Sequence, residues 1–162
     1  MKPVLHPPPV VTYRGFSGAR PTESAMTLHG LLARYEEATW QLLARLGYGP
    51  RRMASERRGL MALEQRIVHL EELRAATVLH IESDLLELGA SRLRCLHRMC
   101  DSESQRTLST MELSFVLVGI DEGSSTVLPA DLVQRARTVF PRVPRSSAAP
   151  ESAQRETADL PI

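Results

Sequence analysis

The sequence predicts an all-α protein: an antiparallel helical hairpin built on one long, coiled-coil-like central helix, with short C-terminal helices packed on it and disordered ends. Three observations predict it. Between residues 51 and 88 apolar residues recur at steps of three and four, first as Leu60, Leu63, Ile67 and Leu70, then as Val78, Ile81, Leu85 and Leu88, the spacing of one helical stripe. No Pro interrupts that stretch, and Gly59 is its only Gly before Gly89. The 162 residues are 43% hydrophobic but only 4% aromatic, and a Leu-, Ala- and Met-rich core suits helices better than sheets. The size fits one domain.

Taken in order, residues 1–21 read as an extended or disordered leader punctuated by Pro3 and Pro7–Pro9. Val10–Tyr13 has strand character but no evident partner. A helical domain is expected over 22–140. Thr22 or Ser24 can cap its first helix, whose inner face carries Leu28, Leu32, Tyr35, Thr39, Leu42 and Leu46, widened by Leu31 and Leu43. Gly47 can end it in the left-handed conformation and Pro50 can open the next. So short a break folds two helices into a hairpin. The first helix, about 23 residues, covers ~35 Å, whereas 51–88 spans ~57 Å at the helical rise. The stripe Val78, Ile81, Leu85 and Leu88 therefore outruns its cover.

Farther on, Gly89–Ser91 marks a kink, and 92–100 a short basic helix. Asp101 or Ser102 with Gln105 resembles a helix-capping pair. Residues 108–120 satisfy both helical and alternating patterns. Ser125–Leu128 is the one nearby strand partner, and a lone hairpin is marginal, so helix is expected. Pro129 opens a last helix with Leu132, Ala136, Val139 and Phe140 inward, ended by Pro141. A disordered tail is expected over 141–162. It contains Arg142-x-x-Arg145-Ser146-Ser147, a match to kinases that read upstream Arg, and the C-terminal Leu160-Pro161-Ile162.

The formal charge of +1 argues against a nucleic acid or an acidic substrate. Two Cys, Cys95 and Cys100, are too few for a disulfide framework and fit a reducing compartment, cytoplasmic or nuclear. Arg14-Gly15-Phe16-Ser17, in an N-terminus free of acids before Glu23, makes the mitochondrial matrix the alternative. No apolar run reaches membrane-spanning length. The absence of Asn excludes N-glycosylation.

Searching for chemistry returns little. Cys95-x-His97-x-x-Cys100 is the one cluster of soft ligands, but on a helix its members point to different sides. His69 and His80 stand too far apart along a helix to share a metal. His80 and Asp84 can pair as helix neighbours. There is no phosphate-cradling Gly loop and no nucleophile-elbow motif. The expectation is a non-enzymatic helical interaction subunit without cofactor. It binds a protein partner, or itself, through Val78, Ile81, Leu85 and Leu88. A small helical chaperone or carrier shielding an amphipathic client segment is the second reading. Nucleic-acid binding through the Arg clusters 51–58 and 92–98 is the third, weakened by the acidic run between them. Arg51, Arg52, Arg57 and Arg58 are the possible contacts to an anionic partner.

Overall fold

A computed structural model, described here for residues 10–17, 26–74 and 76–144, replaces the helical hairpin with a sheet. The order is β1 (Val10–Phe16), α1 (Leu28–Arg45), α2 (Pro50–Ser55), β2 (Arg58–His69), β3 (Val78–Leu88), β4 (Arg92–Asp101), β5 (Thr107–Gly119) and α3 (Ala130–Val139). The five strands form one antiparallel sheet in the order β1-β3-β4-β5-β2. α1 lies across one face. The expected long helix 51–88 is in fact α2, β2 and β3, so only its first turns are helical; α1 and α3 also stand where helices are expected.

Two β-bulges and one polar core residue explain the misreading. On β3, Leu79, Ile81, Ser83 and Leu85 alternate onto the covered face. A register shift between Leu85 and Glu87 then returns Leu88 to that face. Ser83 interrupts the apolar alternation, so Ile81, Leu85 and Leu88 remain, at helical steps of four and three. On β2, a shift between Ala62 and Glu64 does the same for Leu60 and Ile67, the two residues of that run packed against the core. A bulge inserts one residue and flips the phase of a two-residue repeat, which makes strand spacing imitate a helix.

The covered face of the sheet supplies Leu79, Ile81, Leu85, Leu93, Met99, Met111, Leu113, Phe115 and Leu117, all at most 4% exposed. α1 answers with Leu31, Tyr35, Ala38, Thr39, Leu42 and Leu43. Its buried stripe is rotated from the expected one, and Leu28 is exposed. Each buried Leu, Ile, Met or Phe among them contributes about 1.5–3 kcal/mol relative to exposure. Thr27, not Thr22 or Ser24, caps α1, its side chain accepting from the Gly30 N–H at 3.1 Å. Thr22 and Ser24 fall outside the described residues. At the far end Gly47 takes φ 76°, as its position predicts.

Other expectations change in the same direction. Val10–Tyr13 belongs to an edge strand whose partner is β3. Gly89 does not kink a helix; its N–H donates to the Arg92 carbonyl at 2.8 Å in the β3–β4 turn. Asp101 makes cap-like bonds, Oδ1 accepting from the N–H groups of Glu103 and Ser104 at 2.8 and 3.2 Å, but they close the β4–β5 turn. Residues 107–119 are strand, flanked by β4 and β2. Ser125, in the one segment near enough to be a strand partner, contributes a single bridge to Val118. α3 buries Leu132 and Ala136, with Phe140 just beyond it. The Arg145-Ser146-Ser147 match and Leu160–Ile162 lie outside the described residues.

Candidate active site

At one end of the sheet three chain segments converge: the start of α1, the end of β1 and the connection from β2 into β3. The Met26 N–H donates to the Leu73 carbonyl at 2.8 Å, and the Ser17 N–H to the Thr77 carbonyl at 2.9 Å. Arg34, one turn into α1, donates to the Gly30 carbonyl at 2.8 Å and the Phe16 carbonyl at 3.0 Å. α1 is thereby tied to the end of β1. The first turn of α1 contains no acid. The Gly30 N–H is taken by the Thr27 hydroxyl, and the Leu31 N–H by the Thr27 carbonyl. The N–H groups of Leu28 and His29 have no intrahelical carbonyl to reach. They point along the helix axis with a partial positive charge of about half a unit.

β2 borders this end as an open lip. Leu60, Ala62, Gln65, Ile67 and His69 pair with Leu117, Phe115, Leu113, Met111 and Ser109 of β5. Residues directly opposite in an antiparallel pair share a face, so this set lies on the α1 side. Ala62, Gln65 and His69 are nonetheless exposed, because α1 does not extend over β2. Tyr35 of α1 sits near the same corner. Its hydroxyl is buried with no well-formed hydrogen bond, close to Ser109 and the Met99 backbone, and burial pushes it up to about 12. An exposed imidazole can take a proton from an attacking water, and a helix start can bind a developing oxyanion; His69 and the first turn of α1 are the two groups of those kinds toward this end of the sheet.

Beneath the middle of α1 lies a second polar group of residues, fully enclosed. His97 of β4 is 0% exposed, and burial drives it down to about 4, so it is neutral at physiological pH. Its Nδ1 is 2.5 Å from the Ser83 hydroxyl. Its Nε2 is 3.1 Å from the Thr39 hydroxyl and 3.3 Å from the Cys95 thiol. Burial pushes the Cys95 thiol up to about 12. On a strand, residues two apart share a face, so Cys95 and His97 point inward together while Cys100 points outward. The helical argument that separated all three is corrected. No cluster able to hold a metal occurs among the described residues.

The other residues singled out from sequence fall into structural places. Ile81, Leu85 and Leu88 are 0–4% exposed inside this chain's own core, and Val78 alone is exposed. Arg52 pairs with Glu56 and Asp131, Arg57 with Asp121 at 2.5 Å, and Arg58 reaches Glu56 at 4.0 Å. Arg51 is exposed. In the second cluster Arg94 meets Glu87 and Arg98 meets Glu82. This chain's own carboxylates thus occupy much of the charge that was to meet phosphate. His80 bonds Ser102 at 2.9 Å, not Asp84. A groove of about 590 Å³ lined by Val11, Tyr13, Arg14, Glu37 and Trp40 runs along β1, at the opposite edge of the sheet from β2. In the sequence His69 stands out only by its spacing from His80, which rules out a shared metal on a helix. Its place on the lip depends on the β2–β5 register, which no local pattern reveals.

A single antiparallel sheet wrapped on one long helix, with the order β1-β3-β4-β5-β2, is the hotdog fold of thioesterases. The model of the thioesterase-like superfamily matches residues 24–142. The chain belongs to that superfamily, and the expectation of a non-enzymatic helical subunit, chaperone or nucleic-acid binder is overturned. Among curated protein sequences none matches it. Solved structures share its fold. A hypothetical protein of Staphylococcus aureus in complex with CoA superposes with a TM-score of 0.75 at 13% identity, over 88% of this chain and 91% of that one. A putative thioesterase of Pseudomonas putida gives 0.72 at 19% identity, over 97% and 100%. A 1,4-dihydroxy-2-naphthoyl-CoA thioesterase of Synechocystis gives 0.68 at 16% identity, over 78% and 94%.

Proposed function

We propose that this protein hydrolyses acyl thioesters of coenzyme A, or of a similar thiol carrier, with the first turn of α1 and His69 of β2 as its catalytic groups. The observation that carries the proposal is the superfamily match over 24–142, the span that contains α1 and the β2 lip. In the reaction, water adds to the thioester carbonyl carbon. The N–H groups of Leu28 and His29 stabilise the developing oxyanion, as helix starts do for anions. His69 accepts the proton from the attacking water. The carbon–sulfur bond then breaks, the proton passes to the thiolate, and a carboxylic acid and a free thiol leave. Two solved relatives of the fold support the substrate class: one was solved with CoA and one is described as acting on a CoA thioester.

The same reading makes the protein a homodimer. β2 is twelve residues long, and among the described residues one of its edges meets a strand, β5. It exposes Met61, Leu63 and Val68 by 47%, 45% and 38%. A long, apolar, half-paired edge strand is a template for another strand. A second copy joined there would roof the lip that carries His69. The two free thiols support a reducing compartment such as the cytoplasm.

The test is a panel of acyl-CoA esters with the purified full chain, reading release of free thiol. A kcat/KM of about 10⁴ M⁻¹s⁻¹ or more for at least one acyl group is expected. Thiol release no faster than in buffer, across short, long and aromatic acyl groups, removes the proposal. His69→Ala should lower kcat by about 10²-fold or more, the usual size of a general-base contribution. Full kcat in His69→Ala with loss in His29→Ala moves the base to the helix turn.

A further inference from the structure

We propose that His97 is a positioning residue. It is held as the neutral tautomer with its proton on Nε2, at the centre of a one-way chain of hydrogen bonds that fixes α1 on the sheet. The direction of the chain follows from which hydroxyl protons are already committed. Thr39 lies mid-helix, and its hydroxyl donates to the Tyr35 carbonyl four residues back at 2.9 Å, the usual bond of a helical Thr. With that proton spent, Thr39 Oγ1 can only accept, so the contact at 3.1 Å is donation from His97 Nε2. A neutral imidazole carries one proton. Nδ1 is therefore an acceptor, and the Ser83 hydroxyl, 2.5 Å away, donates to it. Ser83 in turn accepts from Thr12 at 2.7 Å.

The opposite direction is inferior at both ends. It would run from His97 Nδ1 through Ser83 and Thr12 to the Ile81 carbonyl, a contact of 3.4 Å, beyond a normal hydroxyl bond. It would also leave Nε2 to the Cys95 thiol at 3.3 Å, a weak donor. The forward chain satisfies every member, and it links β1 (Thr12), β3 (Ser83), β4 (His97) and α1 (Thr39). Thr12, Ser83 and His97 are 6% exposed or less, and Thr39 is 3% exposed. Apolar contacts alone let a helix slide and rotate on a sheet with small changes in energy, whereas a buried hydrogen bond has one geometry. The chain therefore sets the axial position and rotation of α1, and with them the place of its first turn. That last step rests on the proposed use of the turn as oxyanion donor.

The test combines a spectroscopic and a kinetic readout on the full chain. Histidine-selective ¹⁵N labelling with long-range ¹H–¹⁵N correlation reports the tautomer of each imidazole, and His97→Gln assigns the His97 signals. A single tautomer with protonated Nε2 and bare Nδ1 is expected near neutral pH. A proton on Nδ1, or a fast mixture of the two forms, overturns the proposal whatever the activity. Thr39→Val removes the acceptor and should perturb the His97 signals. It should also lower kcat for a thioester by about tenfold or more with little change in KM, since a misplaced donor costs rate. Thr39→Ser should restore both. Perturbed signals with wild-type kcat would refute positioning while leaving thioester hydrolysis intact. The expected tautomer in a protein without thioesterase activity would leave the lock and remove the enzymatic reading.

Discussion

At the residue scale the molecule turns on a few buried polar side chains that the sheet could not place without partners. His97 is the sharpest of them. A free imidazole takes its proton near 6.5, whereas burial holds the folded one at about 4. Between those values the unfolded chain binds a proton that the folded chain refuses. Stability is thus whole above the unfolded value and is lost as pH falls toward the folded one. The loss is about 3 kcal/mol at most, at about 1.4 kcal/mol per pH unit. Thr39, Ser83, Cys95 and the Tyr35 ring, 6.2 Å away between centroids, surround the imidazole, and none offers a charge to the imidazolium. Urea midpoints measured from pH 7.5 to pH 4.5 should fall steeply in the native protein and more gently in His97→Gln. Equal slopes would mean that other groups carry the acid sensitivity. Gly47 is the other residue with a specific task. Its φ of 76° ends α1, and Arg135 stands 2.8 Å from where a Cβ would lie. Gly47→Ala should cost about 1–2 kcal/mol in chemical denaturation, and a cost near zero would remove the strain argument.

At the element scale, some parts were legible in the sequence and others were not. α1 and α3 could be read because a helix on a sheet keeps its period, and because Gly47, Pro50, Pro129 and Pro141 mark their ends. The sheet could not, for reasons visible in single residues. Ser83 is polar where alternation needs an apolar residue, yet it is buried to donate to His97. The bulges at 62–64 and 85–87 shift phase in mid-strand. β2 shows little alternation, because eight of its twelve residues are exposed and none is fully buried in the single chain. A strand left half-covered by its own chain carries little signal of burial. Of the candidate site, the end of α1 was in view, but the register that sets His69 opposite Ser109 was not. The dimer is tested on this element. Met61→Glu with Val68→Glu puts charge on the exposed edge strand, a device that blocks strand pairing. Light scattering should report a dimer for the native chain and a monomer for the double variant. A native monomer would sink the edge-pairing model.

At the scale of the whole molecule, one helix covers one face of a five-stranded sheet, and the cover stops short of β2. The folded single chain leaves Met61, Leu63, Val68 and Leu70 between 38% and 56% exposed. Large apolar residues exposed along one edge strand favour association with a second copy. If a second copy covers it, folding and pairing are one linked equilibrium, and mass action enters the melting temperature. The Tm of the native chain should then rise with protein concentration, whereas that of the Met61→Glu, Val68→Glu variant should be lower and independent of it. Thioester hydrolysis should follow the same dependence if the second copy also roofs the lip bearing His69. Diluting the enzyme through its dissociation range should lower activity per chain along with Tm. Activity per chain that stays constant on dilution to a demonstrated monomer would confine the catalytic groups to one chain and leave pairing a matter of stability alone.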